Sequence, residues 1–302
     1  RLSDVDHVLQ RPDTYGGSIN PVEWENVKLN GYETVEVIPM MYKIFDELIV
    51  NATDNISRGK TTKIRVILDA NGSIDVINDG KPVPIVKHKK EKMWTPTLVF
   101  GHLRTSNNYD DTEERMTGGR NGYGAKLANI FSKRFMVIIK DKKKLFRQMW
   151  TDNMKKTTGP EIFDQLDLSC DRETHISLKV DLERFGVTRI PEGTMRMMIR
   201  RVHDIKRVYP DVWVQLNDEN IHAPEEDRIF EQKNKRWKFS LNVSDGQFRQ
   251  NSFVNGIWTR TGGTHVDYVY RQVLQHMDPV LKKLKLRSYD FKRMLDITLS
   301  CH

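Results

Sequence analysis

Glu47, Asn51 and Asn55 recur at every fourth residue of one run, Phe45-Asp46-Glu47-Leu48-Ile49-Val50-Asn51-Ala52-Thr53-Asp54-Asn55. Residues four apart on a helix share a face, so a carboxylate and two carboxamides would line up there. Glu47 could take a proton from water, and Asn51 could lend an oxygen to a hard cation such as Mg²⁺. A second polar group stands at Asn78-Asp79-Gly80, after the apolar-rich run Ile74 to Ile77. A short polar side chain at a strand end can read the edge of a base. A third candidate is Thr117-Gly118-Gly119-Arg120-Asn121-Gly122-Tyr123-Gly124-Ala125-Lys126. Glycines let backbone N–H groups turn towards a ligand, and the helix predicted to follow at Leu127 adds free donors. Such a loop is an anion cradle, with phosphate as its first ligand. It is not a Walker A loop, because G-x-x-x-x-G-K-[ST] would need the lysine at 125.

The elements that must position these groups follow from periodicity. Met41, Phe45, Leu48 and Ala52, with Ile44, make an apolar stripe that predicts a helix over 39–57. Ile64 to Leu68 and Ser73 to Ile77 read as two strands joined at Asn71-Gly72, a hairpin signal. Residues 1–35 read as an irregular arm and 93–118 as a loop. Strands are expected at 135–140, 145–151, 174–180 and 212–216, and a helix at 194–208. A second unit is expected from about 231, with strands at 237–243 and 248–257, a helix at 266–277, a basic stretch and a last apolar segment at 291–299. Helices mixed with antiparallel hairpins point to an α+β class and not to a doubly wound parallel sheet.

The chain has 302 residues and a formal net charge of +8, which favours a polyanionic partner such as nucleic acid. Its basic runs, Lys87 to Lys90, Lys140 to Lys144 and Lys282 to Arg287, are not interleaved with aromatics in sequence. Phosphate contacts are therefore expected of them, not base stacking. No apolar run approaches the ~20 residues that cross a bilayer. Two cysteines far apart, Cys170 and Cys301, fit a reducing compartment.

Taken together, these blocks resemble the GHKL (Bergerat) ATP fold, and more closely the ATPase region of eukaryotic-type DNA topoisomerase II. The resemblance rests on Arg11 to Ser18, Lys43 to Asn55, Phe100 to Asp111, Thr117 to Lys126, Ser252 to Gly256 and Gly262 to Val269, in family order. It spans about residues 7–270. It implies a GHKL α/β sandwich over 1–230, with an N-terminal dimerisation arm. A truncated transducer of ribosomal-S5-like type would follow over 231–302. It implies ATP and Mg²⁺ as cofactors, Glu47 as general base and Asn51 as the Mg²⁺ ligand. Asn55, Arg58, Ser106, Asn107 and Asn108 fall where the family contacts the nucleotide. Gly119, Arg120, Asn121, Gly122, Tyr123, Gly124, Ala125 and Lys126 match the loop and lid that wrap the phosphates. Asn78 matches the residue that bonds the adenine amino group, and Thr174 one that seats adenine through water. Tyr15 matches a residue that reaches the partner subunit's nucleotide.

The implied function is an ATP-driven gate: two copies dimerise on ATP, capture double-stranded DNA, and pass it through a break made elsewhere in the enzyme. The implied location is the nucleus, or the host cytoplasm for a viral source. Divergence outside the blocks and a compact 55–63 loop point to a large DNA virus or a protist. Pro82 stands where the wider superfamily has the second glycine of D-x-G-x-G. The family's Gln-Thr-Lys loop, its TOPRIM acidic cluster and its cleavage tyrosine have no counterpart in these residues. The expected activity is therefore ATP binding and slow hydrolysis, without DNA cleavage. The alternatives are an ATP-gated DNA clamp with little turnover, or another GHKL ATPase of the chaperone or mismatch-repair kind.

Overall fold

The computed structural model describes residues 3–54, 56, 61–103, 124–164, 172–223, 230–233 and 236–301. The chain forms two compact units, one of Arg1–Trp24 with Val35–Ala223, the other of Glu25–Thr34 with Pro224–His302.

The first 130 residues hold α1 (Asp4–Gln10), α2 (Pro12–Tyr15), β1 (Val22–Lys28), β2 (Tyr32–Val37), α3 (Pro39–Thr53), β3 (Lys63–Leu68), β4 (Ser73–Asn78), α4 (Thr95–Gly101) and α5 (Gly124–Ile130). Next come β5 (Ser132–Asp141), β6 (Lys144–Thr151), β7 (Lys156–Thr157), β8 (Glu161–Asp164), β9 (Arg172–Val180), α6 (Glu192–Val208), β10 (Trp213–Leu216) and β11 (Glu219–Asn220). The chain ends with β12 (Phe230–Lys233), β13 (Trp237–Val243), β14 (Arg249–Val254), β15 (Ile257–Trp258), α7 (Thr264–Leu284), α8 (Ser288–Arg293) and β16 (Leu295–Cys301).

A nine-stranded sheet in the order β11-β10-β3-β4-β9-β5-β6-β7, with β8 on β6, organises the first unit. Only the β10–β3 pair in it is parallel, so the class is α+β as expected. Alternation sets its two faces. In β3, Ile64, Val66 and Leu68 are buried while Lys63, Arg65 and Ile67 are exposed. In β4, Ile74, Val76 and Asn78 are the buried set. Helices α3, α5 and α6 pack together and against the strands on this covered face. The β3–β4 hairpin turns at Gly72, whose φ of +91° suits glycine, and Leu68 pairs with Ile74 across it.

The second unit has a five-stranded sheet, β12-β13-β16-β14-β15, in which β14 and β16 run parallel. Val266, Val269, Leu281, Phe291, Leu295, Ile297 and Leu299 form its core.

Several expectations are corrected. Residues 1–35 are not an irregular arm but carry α1, α2, β1 and most of β2. β1 buries only Val27, so apolar alternation does not announce it, and β2 alternates only over its last four residues, where Val35 and Val37 are buried. Long-range bonds hold them instead: Tyr32 Oη donates to Asp296 Oδ1 at 2.5 Å, and Lys28 Nζ lies 3.3 Å from Asp296 Oδ2. The 93–118 loop begins with a helix, α4, started by Pro96 in its first turn. Asn255 and Gly256, both at positive φ, break the strand expected over 248–257 into the β14–β15 hairpin.

Helix α7 runs past Met277 and through Pro279. The basic stretch is thus partly its last turn, where Lys282 pairs with Asp278 at 2.7 Å and cations oppose the helix dipole favourably.

Candidate functional site

Helix α3 carries the polar ladder. Pro39 opens it, and the Ile38 N–H, which no helical carbonyl can take, donates to the buried Thr194 Oγ1 at 3.0 Å. Met40, Met41, Ile44, Phe45, Leu48 and Ile49 are wholly buried. Below them Arg201 of α6 donates from Nε to Asp46 Oδ1 at 2.6 Å, an ion pair shut away from water. Burial opposes the Arg201 charge, but Asp46, Tyr42 and Asp204 together outweigh it and hold the guanidinium above its ordinary value. Breaking such a pair leaves a buried charge uncompensated, so it fixes the rotation of α3 against α6. That rotation turns Glu47 and Asn51 out of the core: Glu47 is half-buried and Asn51 is exposed.

Glu47 then meets the end of the glycine loop. A Cβ placed on Gly124 would overlap the Glu47 carboxylate, so any larger residue at the start of α5 would have to push that carboxylate aside. This contact joins two motifs far apart in sequence. On its other side Glu47 Oε1 is 2.5 Å from Lys43 Nζ, one helical turn earlier. The N-terminal arm abuts the same turn, because a Cβ on Gly16 would run into Met40 and touch Lys43.

Two residues beyond Gly124, Lys126 is buried at 5% exposure and meets no carboxylate at ion-pair distance among the described residues. Burial pushes its ammonium below its ordinary value. A buried cation without a counter-ion suits an anionic ligand. Helix α5 is anchored by Asn129, whose Nδ2 donates to Phe100 O at 3.0 Å.

The third group sits at the end of β4. Asn78 occupies the covered-face position of the alternation and is 8% exposed. Its register partner on β9 is Thr174, so the two lie side by side on neighbouring strands. Asn78 Nδ2 donates to Asp79 O at 2.7 Å. The Asp79 carboxylate is committed elsewhere: it accepts from the amides of Thr62 (2.7 Å) and Lys63 (2.9 Å) and from Thr62 Oγ1 (2.5 Å). Of the Asn-Asp pair, Asn78 is therefore the one aimed at the covered face.

The Tyr15 hydroxyl is 2.9 Å from His7 Nδ1, within the arm. Asn55, Arg58, Ser106, Asn107, Asn108, Gly119, Arg120, Asn121, Gly122 and Tyr123 lie outside the described residues. Ala125 is buried in the first turn of α5. Sequence reasoning missed Lys43, although its four-residue spacing from Glu47 was visible. It also missed the Asp46–Arg201 pair, whose partners are far apart in the chain and carry no local signal.

Among the described residues no three His, Cys, Asp or Glu side chains converge on a metal position.

A family model described as DNA gyrase B matches residues 205–294. The ATPase region of Saccharomyces cerevisiae topoisomerase II is 37% identical, with a TM-score of 0.88 over 100% of this chain and 85% of that one. The ATPase and transducer domains of DNA topoisomerase II from Balamuthia mandrillaris are 36% identical, with a TM-score of 0.90 over 100% of this chain and 84% of that one. DNA topoisomerase 2 of Meyerozyma guilliermondii is 37% identical over 100% of this chain but only 25% of its own length. The chain thus spans about a quarter of that curated relative.

Proposed function

The chain belongs to the family of the ATPase regions of eukaryotic type II DNA topoisomerases, and from that membership we infer that it binds ATP with Mg²⁺ and hydrolyses it as the gate of a larger DNA-passing enzyme. The observation that carries this reading is the meeting of Glu47 with Gly124. It sets a carboxylate base against the end of a glycine loop, where phosphate is held. Glu47 would accept the proton of the attacking water, and Asn51, one turn on, would give its carboxamide oxygen to the cation. Lys126 and the amides at the start of α5 would face the phosphates. Asn78 and Thr174 would seat the adenine. Mg²⁺ would neutralise charge that develops on the phosphoryl oxygens.

The same reading assigns residues 1–230 to the nucleotide-binding domain with its arm and 231–302 to a transducer. It places Tyr15 and the lid residues Gly119 to Tyr123 at an ATP-dependent homodimer contact. Ser106, Asn107, Asn108, Asn55 and Arg58 would complete the nucleotide pocket. The captured partner is double-stranded DNA and the compartment is the nucleus. Among the described residues no helix is long and apolar enough to cross a membrane.

The test is to incubate the chain with a non-hydrolysable ATP analogue, with and without Mg²⁺, and weigh it by light scattering. A dimer that needs both analogue and Mg²⁺ supports the gate. A monomer under every condition, with no analogue bound, contradicts it.

A further inference from the structure

The open face of the nine-stranded sheet carries a cleft of about 640 Å³ lined by Lys63, Arg65, Ile77, Lys142, Arg172 and Trp213, together with Glu173 and the Asn78-Asp79-Gly80 end of β4. These positions come from four strands and the β5–β6 turn, so no run of the sequence announces them. Register brings them together. Trp213 pairs with Lys63, two residues from Arg65, and Arg65 pairs with Ile77. Neighbouring strands lie about 4.8 Å apart, and residues two apart on a strand about 7 Å apart.

The charges there are unevenly spent. Arg172 faces Asp141 at 3.4 Å, Glu173 is held by Lys140 at 2.9 Å, and Asp79 is consumed by the Thr62 and Lys63 amides. Lys63, Arg65 and Lys142 are all exposed, and none of their charged groups meets a carboxylate among the described residues. Beside them the Trp213 ring is 40% exposed on the same face. A large aromatic left in water next to three uncommitted cations is a stacking platform with its own phosphate clamps. Ile77 gives the cleft an apolar floor. The cleft also reaches Asn78, Asp79 and Gly80 at the end of β4, but the Asn78 side chain takes the covered-face position of the alternation, while Lys63, Arg65 and Trp213 take the open one.

We propose that the open-face cleft binds a short stretch of single-stranded nucleic acid, with phosphates on Lys63, Arg65 and Lys142 and a base stacked on Trp213. A duplex keeps its bases inside and cannot offer a ring face to Trp213. Single strand should therefore be preferred.

The experiment is fluorescence anisotropy of a labelled dT8 strand and of a duplex of equal length. The full chain is used, with its nucleotide site filled by a non-hydrolysable ATP analogue. The strand should bind at least ~10-fold more tightly than the duplex. Log affinity should fall with log salt at a slope of about −2, as three single-strand phosphate contacts require. Arg65→Glu with Lys142→Glu should weaken the strand at least ~10-fold, and Trp213→Ala by ~5-fold or more, with Trp213→Phe restoring most of the loss. ATP turnover and melting temperature should stay at parental values. The proposal is overturned if the charge reversals leave strand binding unchanged. It is overturned equally if duplex and strand bind alike and Trp213→Ala has no effect.

Discussion

The two faces of the nine-stranded sheet use alternate residues of the same strands, and they spend them differently. On the covered face Asn78 and Thr174 stand beside Ile74, Val76, Ile176 and Leu178, under helices locked by buried groups. On the open face Lys63 and Arg65 alternate with the buried Ile64 and Val66 of β3, and Trp213 stands beside the buried Val214 of β10, all three exposed to water. A polar group on the covered face has already left water, and its partner is fixed. A cation on the open face keeps its hydration until a ligand arrives. The difference explains why chemistry belongs on one side and reversible, salt-sensitive contact on the other.

That contrast breaks most sharply at the ion pair beneath α3. Arg201→Met strands the buried Asp46 carboxylate and should cost ~3–5 kcal/mol in denaturant unfolding. Adding Asp46→Leu should recover most of it, since replacing both charges removes the stranded one. A single variant costing under ~1 kcal/mol would show that the helix layer does not depend on the pair.

Gly124→Ala comes next. Its methyl overlaps the Glu47 carboxylate and must displace it, and a misplacement of this size lowers turnover by roughly 100-fold. An unchanged rate would separate the glycine loop from the base.

A smaller effect is expected from Lys126. Burial lowers its pKa in the free protein, so the folded chain sheds this proton at a lower pH than an unfolded one does. Stability from this group therefore rises with pH, between the lowered value and the ordinary one. A bound phosphate favours the charged form, so binding in that window takes up a proton and ATP affinity falls as pH rises. Calorimetry in two buffers of different ionisation heat should show uptake at alkaline pH that Lys126→Met removes. Equal heats in both buffers would mean Lys126 does not face the phosphates.

On the open face Arg65→Ala should change stability by no more than ~0.5 kcal/mol and leave ATP turnover unchanged. A large loss would mean the two faces are coupled through the strand.

Much of the covered face was legible in sequence, and for a physical reason. The α3 stripe and the β3–β4 alternation are local periodicities, and the Asn71-Gly72 turn needs a positive φ that glycine supplies. The meeting of Glu47 with Gly124 was not legible from spacing, because the residues lie on different helices. Only the resemblance to a family placed them together. The strands β1 and β2 escaped notice because their stability is borrowed from Asp296, far along the chain. The open-face cleft escaped because its cations and its aromatic are separated in sequence and are joined only by strand register. Helix α7 continues past Met277 and through Pro279 to Leu284, into the stretch that the sequence marks only as basic.

The most direct test of the account is a single-turnover ATP assay on Glu47→Gln beside equilibrium binding of ATP. The account predicts that hydrolysis falls ~10²–10⁴-fold while the dissociation constant moves by less than about 3-fold, because the amide keeps the shape but cannot accept the water's proton. Parental hydrolysis by Glu47→Gln would contradict the assignment of Glu47 as base, and with it the claim that helix α3 and the glycine loop form one catalytic site.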